Sequence, residues 1–468
     1  MTFLLLFLPI VLLLYFSAGA LRWKNAVLLL ASLLFYAWGE PVCVLAMLFS
    51  TAVNYFCAAA IASSDDPRRR KTALALGVGV SLALLFYFKY FSFALQNVAA
   101  LFSLRLSVPE IRLPIGISFY TFQVLTYTVD VYRGKAPVQK SFPRLLLYVS
   151  CFPQLIAGPI VQYADVAAQL DDRSTSAEDF SAGIERFVVG LAKKVLLANL
   201  LGKTVDLIMV ENVGMINAPI AWLGSICYSL QLFFDFFGYS QMAIGLGKMF
   251  GFEFQDNFNY PYISSSITEF WRRWHISLSQ WFRDYLYIPL GGSRKGNVYF
   301  NLFVVFLATG LWHGAALGFV VWGLWHGMFI LIERFFKKHP LGRLRLPKPV
   351  TWLYTMLVAV LGWTLFRLVR LRDAWHYLQI MFGRIKPEFL RYGLAWYLDA
   401  RTITVLIAAI LFCVPWLEVL RKPIPKLDRI LTSPAVTVCR RILALLLLAL
   451  CFLFIANSSY NPFIYFRF

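Results

Sequence analysis

Five histidines and three closely spaced arginines are the residues of this chain best suited to chemistry. His313 lies in Leu311-Trp312-His313-Gly314-Ala315, where one apolar block ends and the next begins. Gly310, Gly314 and Gly318 stand at i+4 spacing around it, so another backbone or an acyl chain can come close. Burial disfavours a charged imidazole. A neutral one can take a proton from a hydroxyl, which is general-base work. The same residues also suit a hydrogen-bonded packing histidine, and the spacing does not choose between the two. Trp-His-Gly occurs at 312–314 and again at 325–327. On one continuous helix those two histidines would point about 220° apart, a poor ligand pair. For His326, deeper in its block, packing is the better reading. His339 and His376 fall in loops and read as solvated.

The densest polar stretch is 253–297. Trp271, Trp274, Leu278, Trp281 and Phe282 give one apolar face to a helix expected over Ile267–Tyr287. Trp271, His275, Ser279 and Arg283 form an i+4 row, so His275 borders that face. Pro289 and Gly291–Gly292 end the element. Arg272, Arg273 and Arg283 fit an interfacial helix meeting lipid headgroups. A basic lip for an anionic ligand such as a nucleotide phosphate is the alternative, which the pattern alone favours less. Asp235, alone among aromatics in Phe233–Tyr239, could orient a histidine or arginine, or pair structurally. Asp130, Tyr132 and Arg133 suggest a helix-end network. No G-x-S-x-G, P-loop or G-x-G-x-x-G is present. No metal-ligand spacing appears, and the seven cysteines include no C-x-x-C and read as buried small hydrophobes.

The elements that carry these residues must be built for lipid. The chain has 468 residues, 60% hydrophobic and 15% charged, with mean hydropathy +0.67. That composition excludes a disordered chain, a disulfide scaffold and an ordinary soluble enzyme. Nearly uncharged blocks cover 2–21, 26–38, 42–62, 72–95, 298–311, 315–332, 350–366, 402–420 and 442–456. An α-helix needs ~20 residues to cross ~30 Å of hydrocarbon. The expectation is an all-α polytopic membrane protein, one domain over 1–468, with about eleven spanning helices plus re-entrant or amphipathic pieces. The first block lacks a basic n-region and a cleavage site and reads as a retained helix. Ser176 should cap a helix beginning near Ala177. The polar segment Arg367–Asp399 reads as a larger outer loop.

The formal charge of +20 does not imply nucleic acid, because the basic residues sit in short loops between spans. Placing 65–71, 334–348 and 421–441 in the cytoplasm puts both chain ends outside.

Several stretches together resemble the membrane-bound O-acyltransferases, in particular the bacterial branch of alginate O-acetyltransferases. They are LPIGISFYTFQ (113–123), TVDVYRG (128–134), FPQLIAGPI (152–160), DFFGYS (235–240), MAIGLGKMFGF (242–252), 257–292, GLWHGA (310–315) and NPFIYFRF (461–468). Gln241 departs from the acid usual in that branch. The resemblance implies a ring of spanning helices around a central tunnel, in a bacterial inner membrane. It implies His313 as the essential histidine and His275 as its companion. Trp271, Trp274, Trp312 and Asp235 would shape the tunnel, and Arg272, Arg273 and Arg283 would meet the donor's phosphates. An acyl thioester such as acetyl-CoA would enter from the cytoplasm as substrate, with no bound cofactor. Its acyl group would end on a hydroxyl of an extracytoplasmic polysaccharide or carrier protein, helped by an esterase-like partner. D-alanyl or longer-acyl transfer remains open within the family. A secondary transporter is the rival from outside it, although the two related halves it should show are absent.

Overall fold

The computed structural model describes residues 1–155, 158–211, 213–339, 346–421, 423–424 and 427–457. The motif NPFIYFRF, the tail 460–468 placed outside, and Arg343 and Arg345 of the 334–348 cluster lie outside the described residues. All regular structure among the described residues is helical.

Six helices are long and apolar enough to cross a membrane: Cys43–Ala62, Pro67–Leu101, Ala218–Met249, Leu317–Lys337, Lys348–Arg367 and Pro434–Ala456. Phe3–Ser17, Val298–His313 and Ala400–Phe412 are apolar but shorter. Leu21–Gly39 and Ile117–Tyr132 are mixed in composition. Ile117–Tyr132 is buried almost all round, so its polar residues face protein and it needs no purely apolar surface. The block expected over 402–420 is not one helix. It stops at Phe412, three residues before Pro415, and a short helix restarts at Trp416.

The chain forms two compact units, Met1–Phe187 with Met242–Gln255, and Val188–Gln241 with Asp256–Phe468. In the first, Asp66 caps Pro67–Leu101 by accepting from Arg68 N at 2.9 Å, with Pro67 at the first helical position. That helix packs on Cys43–Ala62 and Ile117–Tyr132. Asn54 Nδ2 donates to Ser81 Oγ at 2.8 Å, and Thr128 Oγ1 donates to Asn54 Oδ1 at 2.6 Å. Gly77 lets the three approach, because a Cβ there would sit 3.1 Å from Asn54 Oδ1 and 3.2 Å from Thr128 Cγ2. Hydrogen bonds across closely packed helices replace the hydrophobic drive that lipid does not supply. Ser176 caps Ala177–Ala192 as expected, accepting from Asp179 N at 3.0 Å. The helix end at Tyr132 is closed by Gly134 at φ +71°, and Arg70 donates to the Tyr132 carbonyl at 3.1 Å.

In the second unit, 367–399 is more than a loop. Leu371–Met381 is helical, with Ala374, Tyr377, Ile380 and Met381 buried. The i, i+3, i+7 spacing of 374, 377 and 381 makes an apolar stripe, while Arg372, Asp373 and His376 stay exposed on the other side. Tyr377 OH donates to the Ala221 carbonyl at 2.9 Å, and Trp222 Nε1 to that of Met381 at 2.9 Å.

Candidate active site

The helix expected over Ile267–Tyr287 is broken at its histidine. Ile267–Arg273 ends, Trp274 is extended, and His275 takes the left-handed conformation at φ 45°, ψ 56°. Ile276–Phe282 then begins and passes into a wider π turn over Arg283–Tyr287. The i+4 row through His275 therefore does not exist. The apolar face survives the break: Trp271, Trp274, Leu278 and Phe282 are all buried, and Trp281 is half-buried.

Three anchors hold the break. Glu333, on Leu317–Lys338, accepts from Ile267 N at 2.6 Å and from Thr268 N and Oγ1 at 2.9 and 2.6 Å. A carboxylate at a helix N-terminus answers its unpaired N–H groups and its dipole. Ser266 caps the same turn through Glu269 N at 3.0 Å. Beyond the break, Ile276 N donates to the Asn257 carbonyl at 2.9 Å and Ser277 N to Asn257 Oδ1 at 3.1 Å. His275 is buried with its ring edge-on to Phe236 at 4.6 Å, and Trp312 lies 6.2 Å away.

His313 is the last residue of Val298–His313, and Gly314 turns the chain into Leu317–Lys338. The three glycines therefore do not form one i+4 row. All three admit close neighbours, Gly318 the Val369 carbonyl oxygen, which a Cβ would meet at 2.1 Å. A Cβ at Gly310 would lie 2.5 Å from the Phe319 carbonyl oxygen, and one at Gly314 would run into the Phe319 ring. His313 is buried, with ring centroids of Trp322, Trp312 and Phe366 at 4.8, 4.9 and 5.2 Å. Trp312 thus touches both histidines. The second Trp-His-Gly stands on the following helix, so the single-helix rotation argument does not apply. His326 meets Trp271 at 5.2 Å, Trp322 at 5.5 Å and Trp363 at 5.8 Å. The three buried histidines therefore share one aromatic cluster. His339 and His376 are both exposed, but His376 stands on the solvent side of the helix Leu371–Met381 and not in a loop.

Asp235 is buried and ion-paired with buried Lys194, while its neighbour Phe236 is what reaches His275. Arg273 is committed to Glu269 at 3.0 Å and to the Asn259 carbonyl at 3.1 Å. Arg283 is committed to Asp284 at 2.8 Å, a hydrogen bond that raises the guanidinium's pKa further. Arg272 is exposed and has no ion-pair partner among the described residues. Among the described residues no three His, Cys, Asp or Glu side chains cluster closely enough to hold a metal ion. Five cysteines are buried, Cys43 is half-buried and Cys439 exposed.

Sequence reasoning missed Asn257, Glu333, Trp322, Trp363 and Phe366. Glu333 carried a readable signal, an acid at the end of an apolar helix. The others look like ordinary loop or membrane residues.

The arrangement is a desolvated pair of imidazoles joined by an indole, suited to moving a proton out of contact with water. The family model for membrane-bound O-acyltransferases matches residues 133–362, which contain both histidines. A protein named probable alginate O-acetylase from Pseudomonas aeruginosa is 45% identical over 81% of this chain and 74% of its own length. Its namesake from Pseudomonas putida is 40% identical over 100% of this chain and 99% of its own. A peptidoglycan O-acetyltransferase from Helicobacter pylori is 33% identical over 100% and 96%. The likeness runs along the whole chain, not only through the histidine motifs, and the helices are those of a multi-pass membrane protein. The chain belongs to the membrane-bound O-acyltransferase family and is an O-acyltransferase.

Proposed function

We propose that the chain moves an acetyl group from a thioester, acetyl-CoA in the simplest case, to a hydroxyl of an extracytoplasmic polysaccharide or of a carrier protein. The bacterial inner membrane is the setting. The observation that carries the reading is His313: buried at a helix end, walled by three aromatic rings, and linked through Trp312 to a second buried histidine. Desolvation favours the neutral imidazole that a general base requires. His313 takes the proton of the acceptor hydroxyl as its oxygen bonds to the thioester carbonyl carbon. The carbon–sulfur bond breaks, and the proton passes to the leaving thiolate. One ester and one free thiol result. Arg272, the unpaired member of the three arginines, is the first candidate for the donor's phosphates. An extracytoplasmic esterase-like protein would complete delivery.

Purified protein in proteoliposomes, given a labelled acetyl thioester and an oligosaccharide, should release thiol and leave label on the sugar. Labelled D-alanyl thioester used in preference would move the acyl assignment. Translocation of label with no ester formed would overturn the reading in favour of a transporter. Sidedness has its own test. In a cysteine-free background Glu388→Cys, at an exposed site, should react with an impermeant thiol reagent in intact cells, and Lys337→Cys should not. The reverse pattern would invert the topology.

A further inference from the structure

His275 is held by one side of its ring only. Nδ1 lies 3.2 Å from Asn257 Oδ1. Nε2 is buried and has no hydrogen-bond partner among the described residues. Which nitrogen carries the proton follows from Asn257. Its side-chain oxygen accepts Ser277 N–H at 3.1 Å and the Ser277 hydroxyl at 2.9 Å. A backbone N–H can only donate, so the atom facing Ser277 N is the amide oxygen, and the flipped amide would set two donors against each other. That oxygen cannot donate to His275 either. Its contact with Nδ1 is attractive only if Nδ1 bears the hydrogen. In a neutral imidazole the lone pair then belongs to Nε2.

The backbone makes this placement rigid. Asn257 O takes Ile276 N–H at 2.9 Å, and Asn259 N donates to the Arg273 carbonyl at 2.9 Å. The 257–259 segment thus clasps the chain on both sides of the left-handed residue. One asparagine caps the second half-helix, closes the break and fixes the ring. Phe236 and Trp312, the residue before His313, also pack edge-on against the ring.

We propose that Asn257 is a positioning residue that fixes His275 as the Nδ1–H tautomer, so that Nε2 is a buried hydrogen-bond acceptor for an O–H or N–H of the substrate. This rests on the acyl-transfer reading above and gives the second histidine a definite polarity. It receives a donor, such as the hydroxyl to be acylated or an amide N–H of the thioester arm. It does not supply an N–H to the developing oxyanion, because that needs hydrogen on the nitrogen facing the substrate.

The test is ¹⁵N NMR of ring-labelled histidine in the full-length protein in lipid, with His275 assigned by difference against His275→Gln. In the wild-type protein His275 should show a protonated Nδ1 and an unprotonated Nε2 without any substrate. A protonated Nε2 would overturn the proposal outright. Asn257→Asp keeps an oxygen acceptor and should keep both the tautomer and turnover within about tenfold. Asn257→Leu should release the tautomer and lower kcat at least tenfold with KM little changed, the signature of an interaction strongest in the transition state. If Asn257→Leu is folded and its tautomer is unchanged, Asn257 is not the positioning group. The spectroscopic readout needs no activity. Protein that shows the expected tautomer but acylates nothing would condemn the acyl-transfer reading, whereas transfer by protein with Nε2 protonated would condemn only the assignment of His275.

Discussion

Two buried polar clusters solve the same problem in opposite ways. In the first unit, Asn54 donates to Ser50 O at 2.9 Å and to Ser81 Oγ at 2.8 Å while accepting from Thr128 at 2.6 Å. Ser81 donates in turn to Gly77 O at 2.8 Å. The side-chain donors of Asn54, Ser81 and Thr128 are all spent inside it. In the second unit, His275 Nε2, both ring nitrogens of His326 and the indole N–H groups of Trp271, Trp322 and Trp363 are buried without partners among the described residues. An unsatisfied buried polar group costs ~1–3 kcal/mol. A saturated cluster fastens helices and has nothing left for a ligand. An unsaturated one lowers stability and keeps its capacity for another molecule, which is what a reaction centre requires.

The largest expected effect tests the open cluster. His313→Ala should lower acyl transfer by ~10²–10⁴, the usual loss for a general base. Expression and thermal unfolding should stay near those of the wild type. A folded variant that keeps more than about a tenth of wild-type turnover would reduce His313 to a packing residue, and the contrast between the clusters would lose its functional meaning.

His275 comes next. His275→Ala should lower turnover less than His313→Ala, and the double variant should be little worse than His313→Ala alone. Groups that serve one step are not additive. Losses that multiply would place His275 on a separate step or in folding. The measurement is single-turnover transfer by the two single variants and the double, each corrected for its folded fraction.

Much of the open cluster was legible in the sequence, and the reasons are physical. Polar residues in a chain this apolar stand out, so His313 and His275 can be picked out by cost, whereas Trp271 and Trp274 show only as an apolar face and enter the site through the family resemblance. The break at His275 could not be foreseen. The 3.6-residue pattern of Trp271, Trp274 and Leu278 runs across it, and a left-handed histidine leaves no mark in composition. Asn257 lies 18 residues before the histidine it holds, and nothing local links them. Trp322, Trp363 and Phe366 resemble lipid-facing aromatics until their helices are placed. The partners of two arginines are local: Glu269 stands four residues before Arg273, and Asp284 directly follows Arg283. The saturated cluster was not picked out at all, because Asn54, Ser81 and Thr128 sit in three different helices and each is unremarkable alone.

The smallest effect examines that saturated cluster and shows whether its bonds only fasten. Asn54→Val removes the hub, leaving the Thr128 hydroxyl without its acceptor and Ser81 with one donor fewer. The expected loss is about 1–2 kcal/mol. Thr128→Val removes a single donor across the same contact and should cost about 0.6 kcal/mol, the average for a hydrogen bond between helices in a membrane. Combining the two in one cycle should recover most of the Thr128 loss, because once Asn54 is gone that hydroxyl has nothing to give up. Stability would be followed by reversible unfolding in mixed micelles, and transfer would be assayed on the folded fraction. Turnover per folded molecule should match the wild type in all three variants. Turnover that falls in step with each bond removed would mean that the first unit's lock also shapes the reaction, and the division between fastening and working clusters would fail at its weakest predicted point.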